Sequence, residues 1–341
     1  MSEAFIYRSG GDGYSTINFN LSTIFDMSNP TSLSEERSSL SATTIGGYAL
    51  FAGGYKTLDV VNAYDSSLTM TIPTVLSVGR YHSAATTIGD YALFGGGSNG
   101  IPVSTVDAYD TYLTRTTPTA LSAARYNFAA ATIGNYALFA GGYNGSSATD
   151  VVDAYDNNLT RTTPTVLSKA RRFLGATTIG GYALFGGGVN STGYLSTVDA
   201  YDSSLVRTIP TALSVNIRRS AATTISNYAL FGGGYNGSYC NTVDAYDTSL
   251  VRSTLDAFSV AREDLAATTI GNYALFGGGV GSTGYLSTVD AYSLSNHKIQ
   301  VYPGTKYSFN GQSEQTSSTW QTLDFQGQLN GYLKIKDTNI N

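Results

Sequence analysis

One cysteine, Cys240, is present among 341 residues, so neither an internal disulfide nor a multi-thiolate metal site can be built. Histidine is almost as scarce, with His82 and His297 the only two, which leaves imidazole chemistry few places to reside and excludes a histidine-rich copper centre. Charged residues make up only 13% of the chain, no run of about 18 apolar residues occurs, and helical periodicity is missing. These gaps exclude helical bundles and membrane-inserted helices. A net charge of -5 argues against nucleic acid as a partner. The first residues, Met1-Ser2-Glu3-Ala4-Phe5, lack the basic start and apolar core of a secretory signal, so no signal peptide is expected.

What the chain does have is glycine, tyrosine and repetition: Gly 38, Tyr 26 and Phe 14 describe a dense, turn-rich all-β protein. Seven strand-like runs end in paired glycines, and six are near-copies of Tyr-Ala-Leu-Phe-(Ala/Gly)-Gly-Gly. Their tyrosines are Tyr48, Tyr91, Tyr136, Tyr182, Tyr228 and Tyr273, a period of 43 to 46 residues. That length matches a four-stranded propeller blade, which cannot bury its apolar residues alone. Each copy predicts four strands: a (Ala-Thr-Thr-Ile), b (Tyr-Ala-Leu-Phe), c (Thr-Val-Asp-Ala-Tyr-Asp) and d (an Arg-Thr pair before Pro-Thr-x-Leu-Ser), followed by an arginine.

Local chemistry supports this division. Gly46-Gly47, Gly89-Asp90, Gly134-Asn135, Gly180-Gly181, Ser226-Asn227 and Gly271-Asn272 are the residue types of two-residue hairpins between a and b. In strand b, Tyr182 and Leu184 alternate with Ala183 and Phe185, so both faces are apolar, as in a sheet packed between two others. The glycine pairs are expected to let another backbone approach, since no helix follows to make an anion site. Repeated Arg37, Arg80, Arg125, Arg171 and Arg262 are read as structural, pairing with carbonyls or carboxylates. Asp107, Asp153, Asp199, Asp244 and Asp290 are read as turn and ladder residues.

The order of apolar strand, double glycine, spaced tyrosine and closing arginine, seen entire over residues 125–171 and recurring over roughly residues 5–300, resembles the Kelch repeat of β-propellers. One departure concerns the tryptophan that the family places after the spaced tyrosine. Here Arg115-Thr116, Arg161-Thr162, Arg207-Thr208 and Arg252-Ser253 stand in that neighbourhood, so the outer strand must pack differently. The near-identical copies are similar to Kelch-like proteins of gut bacteria and their prophages.

The resemblance implies a closed ring, and counting units predicts seven four-stranded blades, with six as the alternative. Phe5 to Gly11 matches strand b, and Pro30 to Arg37 matches the end of d, which makes residues 1–37 a partial N-terminal blade. Full repeats start at about residue 38. Closure is expected from strands within about 297–309 pairing with the N-terminal unit, which would remove exposed edges. The propeller then spans 1–309, and 310–341 reads as a C-terminal hairpin or closing extension.

Function should lie in what the copies do not share. The a-b and c-d turns are monotonous, whereas the b-c loops and d-a connectors, which emerge together on the other face, differ from copy to copy. After the repeated arginine the copies present Tyr81-His82, Tyr126-Asn127, Arg172-Phe173, Arg218-Arg219 and Glu263-Asp264. Arginine forks beside tyrosine rings suit carboxylates, phosphates or sugar hydroxyls. The ligand-binding set is therefore Tyr81, His82, Tyr126, Asn127, Arg172, Phe173, Arg218, Arg219, Tyr235 and Tyr239, with no catalytic residue, metal or cofactor. Glu263 and Asp264 are not expected to converge as an acid–base pair, since strand neighbours point to opposite faces. A non-enzymatic module that binds a glycan, peptide or surface protein is expected, on a virion or outside the cell, with an intracellular interaction scaffold or a sugar-modifying enzyme as alternatives. The propeller itself is expected to be monomeric.

Overall fold

The computed structural model describes residues 31–56 and 58–293 and, beyond them, the strands Lys298–Val301, Lys306–Phe309, Gln315–Thr316, Gln321–Asp324 and Leu333–Lys336. The repeats form a β-propeller of antiparallel blades with the strand order a-b-c-d. The second blade is typical: Ala84–Ile88, Tyr91–Gly95, Val106–Asp110 and Arg115–Thr116. Its a-b register runs from Ala84 opposite Gly95 to Ile88 opposite Tyr91. The turn between them has positive φ at Gly89 (51°) but not at Asp90, the pattern of a type II′ hairpin, and the other five a-b turns follow it.

Alternation along strand b fixes how blades stack. Leu50 and Ala52 of the first blade join Ala92, Phe94 and Tyr109 of the second in one buried cluster, and the same contact recurs at each of the next four junctions. In every blade the strand-b phenylalanine meets the strand-c tyrosine edge to face, as in Phe94 and Tyr109 at 6.0 Å. That tyrosine hydroxyl then donates to the connector of the preceding unit, Tyr109 to the Thr74 carbonyl at 2.7 Å and Tyr155 to that of Thr119 at 2.7 Å. Nearer the axis, threonine hydroxyls tie neighbouring a strands together, Thr86 with Thr132 at 2.8 Å and Thr177 with Thr224 at 2.8 Å.

The expectation of seven blades is corrected: six blade sheets and five junction clusters occur among the described residues. The sixth has three strands only, Ala266–Ile270, Tyr273–Gly277 and Val289–Ser293. Lys298–Val301, the candidate for its fourth strand, pairs instead with Gln321–Asp324, and Lys306–Phe309 pairs with Gln315–Thr316 and Leu333–Lys336. Closure by these strands is therefore not what the pairing shows. The sixth blade also keeps one uncovered face: Ile270 is 54% exposed where Ile88 is 2%, and Val289 is 60% exposed where Val106 is fully buried. Of the proposed N-terminal unit, residues 1–30 lie outside the described residues.

Ion pairs with a buried arginine hold four of the six connectors to the blade that follows. Arg80 lies 2.8 Å from Asp107, Arg125 2.8 Å from Asp153, and Arg171 2.8 Å from Asp199, with all six side chains fully buried. The same guanidinium donates to the strand-b phenylalanine carbonyl, Arg125 to Phe139 at 3.0 Å, while the other carboxylate oxygen accepts the amide of Ser122 at 3.0 Å. The repeated arginines are thus structural, as their recurrence suggested. The aspartates are charge partners rather than turn residues.

Two copies depart from this scheme and each is compensated. Asn62 replaces the aspartate in the first blade and accepts from Arg37 at 2.6 Å. Ile217 replaces the arginine in the fifth, and Asp244 then draws in Arg252 to 2.7 Å. The equivalent Arg115, Arg161 and Arg207 stay 3.6 to 3.8 Å from their aspartates. The outer-strand arginine therefore covers the aspartate from the side of strand d.

The glycine pairs are where this connector crosses. Gly96 has φ 56°, and a Cβ there would sit 2.7 Å from both the Arg125 carbonyl oxygen and the Phe128 ring. The amide of Gly97 donates to that same carbonyl at 2.9 Å. Replacing Gly96 by alanine should lower stability by at least about 1–2 kcal/mol through the left-handed backbone alone, read as a fall in the urea midpoint. Asp153→Ala should cost about 3–5 kcal/mol because Arg125 is left buried and uncompensated. A shift below about 1 kcal/mol in equilibrium unfolding would show that the pair does not anchor the connector.

Candidate binding face at the channel mouth

Each anchoring arginine is followed by two residues that reach the rim, so a buried contact positions a variable pair. The first of the two forms an isolated bridge with the residue just after a glycine pair: Tyr81 with Ser98, Tyr126 with Tyr143, Arg172 with Val189, Arg218 with Tyr235 and Glu263 with Val280. The bridges bring the d-a connectors and b-c loops onto one face, as the strand order required. They also pair the main chain in both directions, with Tyr126 N–H donating to Tyr143 at 3.1 Å and Tyr143 N–H donating back at 2.8 Å.

The second residue of each pair has left-handed backbone: Ser39 (φ 58°), His82 (55°), Asn127 (55°), Phe173 (57°), Arg219 (55°) and Asp264 (54°). These six line one solvent-open cavity of about 240 Å³ at the axis, together with Ser83, Phe128 and Ser220 among others. Their main chains are joined in series, His82 N–H donating to Ser39, Phe173 to Asn127 at 2.9 Å and Arg219 to Phe173 at 2.8 Å. Left-handed backbone costs a non-glycine residue about 1–2 kcal/mol, and Phe and Arg have no side-chain compensation for it. Glycine is the residue this geometry favours, and no described copy uses it.

Side-chain contacts around the rim divide it into sectors. Tyr55, Tyr81, His82, Tyr126 and Tyr143 make an aromatic arc with ring separations of 5.6, 5.1, 6.5 and 5.6 Å between successive members. Arg172 continues it, with its guanidinium 4.3 Å from the Tyr143 ring and 5.5 Å from that of Phe173. Next come Arg218, 5.2 Å from the Tyr235 ring, and Arg219, 4.5 Å from Phe173. Tyr235 in turn contacts Tyr239 at 5.5 Å and Tyr194 at 6.0 Å. All ten residues singled out from the sequence therefore lie in this one belt.

The acidic pair behaves differently from expectation. Asp264 reaches Arg219 at 2.6 Å and Glu263 lies 3.8 Å from the same nitrogen. The left-handed turn at Asp264 removes the strand alternation that would have separated the two carboxylates. Glu263 also lies 3.8 Å from Arg218. Sequence reasoning passed over this neutralisation and over Ser39 and Tyr55, although the period of the repeat places Ser39 in register with His82. Cys240 is buried against the core between the fourth and fifth blades, and burial pushes its thiol pKa up.

His82 has its pKa held below the ordinary 6.5, first by loss of solvent at the crowded mouth and then by the Arg219 charge, with Asp264 opposing. Because the folded value is the lower one, the unfolded chain binds the proton more readily, and stability from this group rises with pH up to about 6.5. Arg219→Gln should raise the His82 titration midpoint followed by NMR, and Asp264→Asn should lower it. A midpoint that ignores both substitutions would mean that these groups do not share the mouth.

No protein-family model matches the chain, and comparison with curated proteins finds no relative.

Proposed function

We propose that this chain is a non-enzymatic binding module, a Kelch-like propeller that recognises a glycan, peptide or surface protein at the channel mouth. The observation that carries this reading is the set of six left-handed positions, alike in backbone and different in side chain: Ser, His, Asn, Phe, Arg and Asp. A position kept costly in backbone, yet free to vary in chemistry, is what recognition from a rigid scaffold requires. The surrounding tyrosines supply contact area with little side-chain entropy to lose. Low charge content and abundant glycine and tyrosine suit a module displayed on a virion or cell surface.

A glycan array and a surface-protein capture experiment with the full chain test the proposal. Tyr126→Ala and Arg219→Ala should each weaken binding by about tenfold or more, as for the central residues of an interface. Undiminished binding in both variants would remove the mouth as the site, and turnover of a bound sugar would replace the module with an enzyme.

A further inference from the structure

Resting on that binding reading, we propose that the junction of the third and fourth blades is an oxyanion subsite and that its ligand is an acidic glycan, a sugar ring carrying a carboxylate. The starting point is the partnering of the arginines. Those of the core are held by aspartates or carbonyls, and on the rim Arg218 and Arg219 face Glu263 and Asp264. Among the described residues, Arg172 alone has a guanidinium with neither a carboxylate nor a hydrogen-bond acceptor beside it. It is partly exposed, and the Tyr143 and Phe173 rings fix its position without occupying its N–H groups. A guanidinium held in this way is organised for a bidentate oxyanion before the ligand arrives.

The neighbourhood favours a sugar over a peptide. An extended peptide docks by adding main-chain hydrogen bonds to a free edge. Here both partners of the relevant bridges are reciprocally bonded, Tyr126 with Tyr143 and Arg172 with Val189, at 2.8 to 3.1 Å. Recognition is left to side chains. Beside Arg172 these are the Tyr143 and Phe173 rings, 4.3 and 5.5 Å from its guanidinium; Phe173 also lines the axial cavity, where its ring suits the C–H face of a pyranose and the Asn127 amide and Ser220 hydroxyl suit its hydroxyl groups. Ser220 Oγ is buried without a protein partner. The cavity, at about 240 Å³, is smaller than a drug-sized pocket and takes one ring-sized group.

The test is titration of the full chain with trigalacturonate and 3′-sialyllactose, alongside neutral galactotriose and lactose, and tetraglutamate as an acidic peptide. At least one acidic sugar should bind about tenfold or more tightly than its neutral counterpart. Arg172→Gln should abolish that preference, a loss of about 10- to 100-fold, while Lys169→Gln leaves it unchanged. Equal binding of acidic and neutral sugars, with both still sensitive to Tyr126→Ala, would overturn the oxyanion subsite and leave the binding-module reading standing. Retention of the preference in Arg172→Gln would also overturn it, as would tetraglutamate binding in preference to every sugar. Binding of none of the probes would overturn the acidic-glycan assignment, and the protein-capture arm would then decide the broader reading separately.

Discussion

A guanidinium buried beneath four of the six connectors, Arg80, Arg125, Arg171 or Arg262, determines where the rim residues stand. Arg125 is held by Asp153, by the Phe139 carbonyl and by its own main chain crossing over Gly96 and Gly97. Tyr126 and Asn127 follow immediately in sequence and have no freedom to drift from the mouth. Burying a pair of charges gains little net stability, whereas removing one partner is expensive. The pair therefore acts mainly as a locator. Wherever the connector goes, the same two variable residues arrive at the same height and distance from the axis.

The fifth copy shows what this arrangement tolerates. With Ile217 in place of arginine, the connector is anchored by an apolar side chain that joins the neighbouring core, and Arg252 moves onto Asp244 from the outer strand. Arg218 and Arg219 still reach the rim. A buried carboxylate needs a cation, and it is indifferent to which strand supplies it.

Much of this was legible because the copies act as their own alignment. Double glycines, Tyr-Ala-Leu-Phe and Val-Asp-Ala-Tyr-Asp recur at one period, so strands, hairpins and the shared face of the variable segments followed directly. The partnering of charges was harder to read. Asp107 and Arg80 are 27 positions apart in sequence, and nothing local distinguishes a buried aspartate from one in a turn. Left-handed backbone at Phe173, Arg219 and the leucines of the c-d turns, such as Leu113, had no signal either, because these residue types seldom adopt it. The convergence of Glu263 and Asp264 was misjudged for that reason. The blade count failed at the ends, where the repeat decays and strands such as Lys298–Val301 find partners outside the regular pattern.

The series of main-chain bonds through Ser39, His82, Asn127, Phe173 and Arg219 has an evolutionary corollary. Since every unit delivers its variable pair through interchangeable machinery, duplicating or exchanging a unit transplants one chemical function to a new compass bearing around the axis without disturbing the others. On the binding role proposed above, recombination among its own copies would change which side chains face the mouth while leaving the buried anchors as they are.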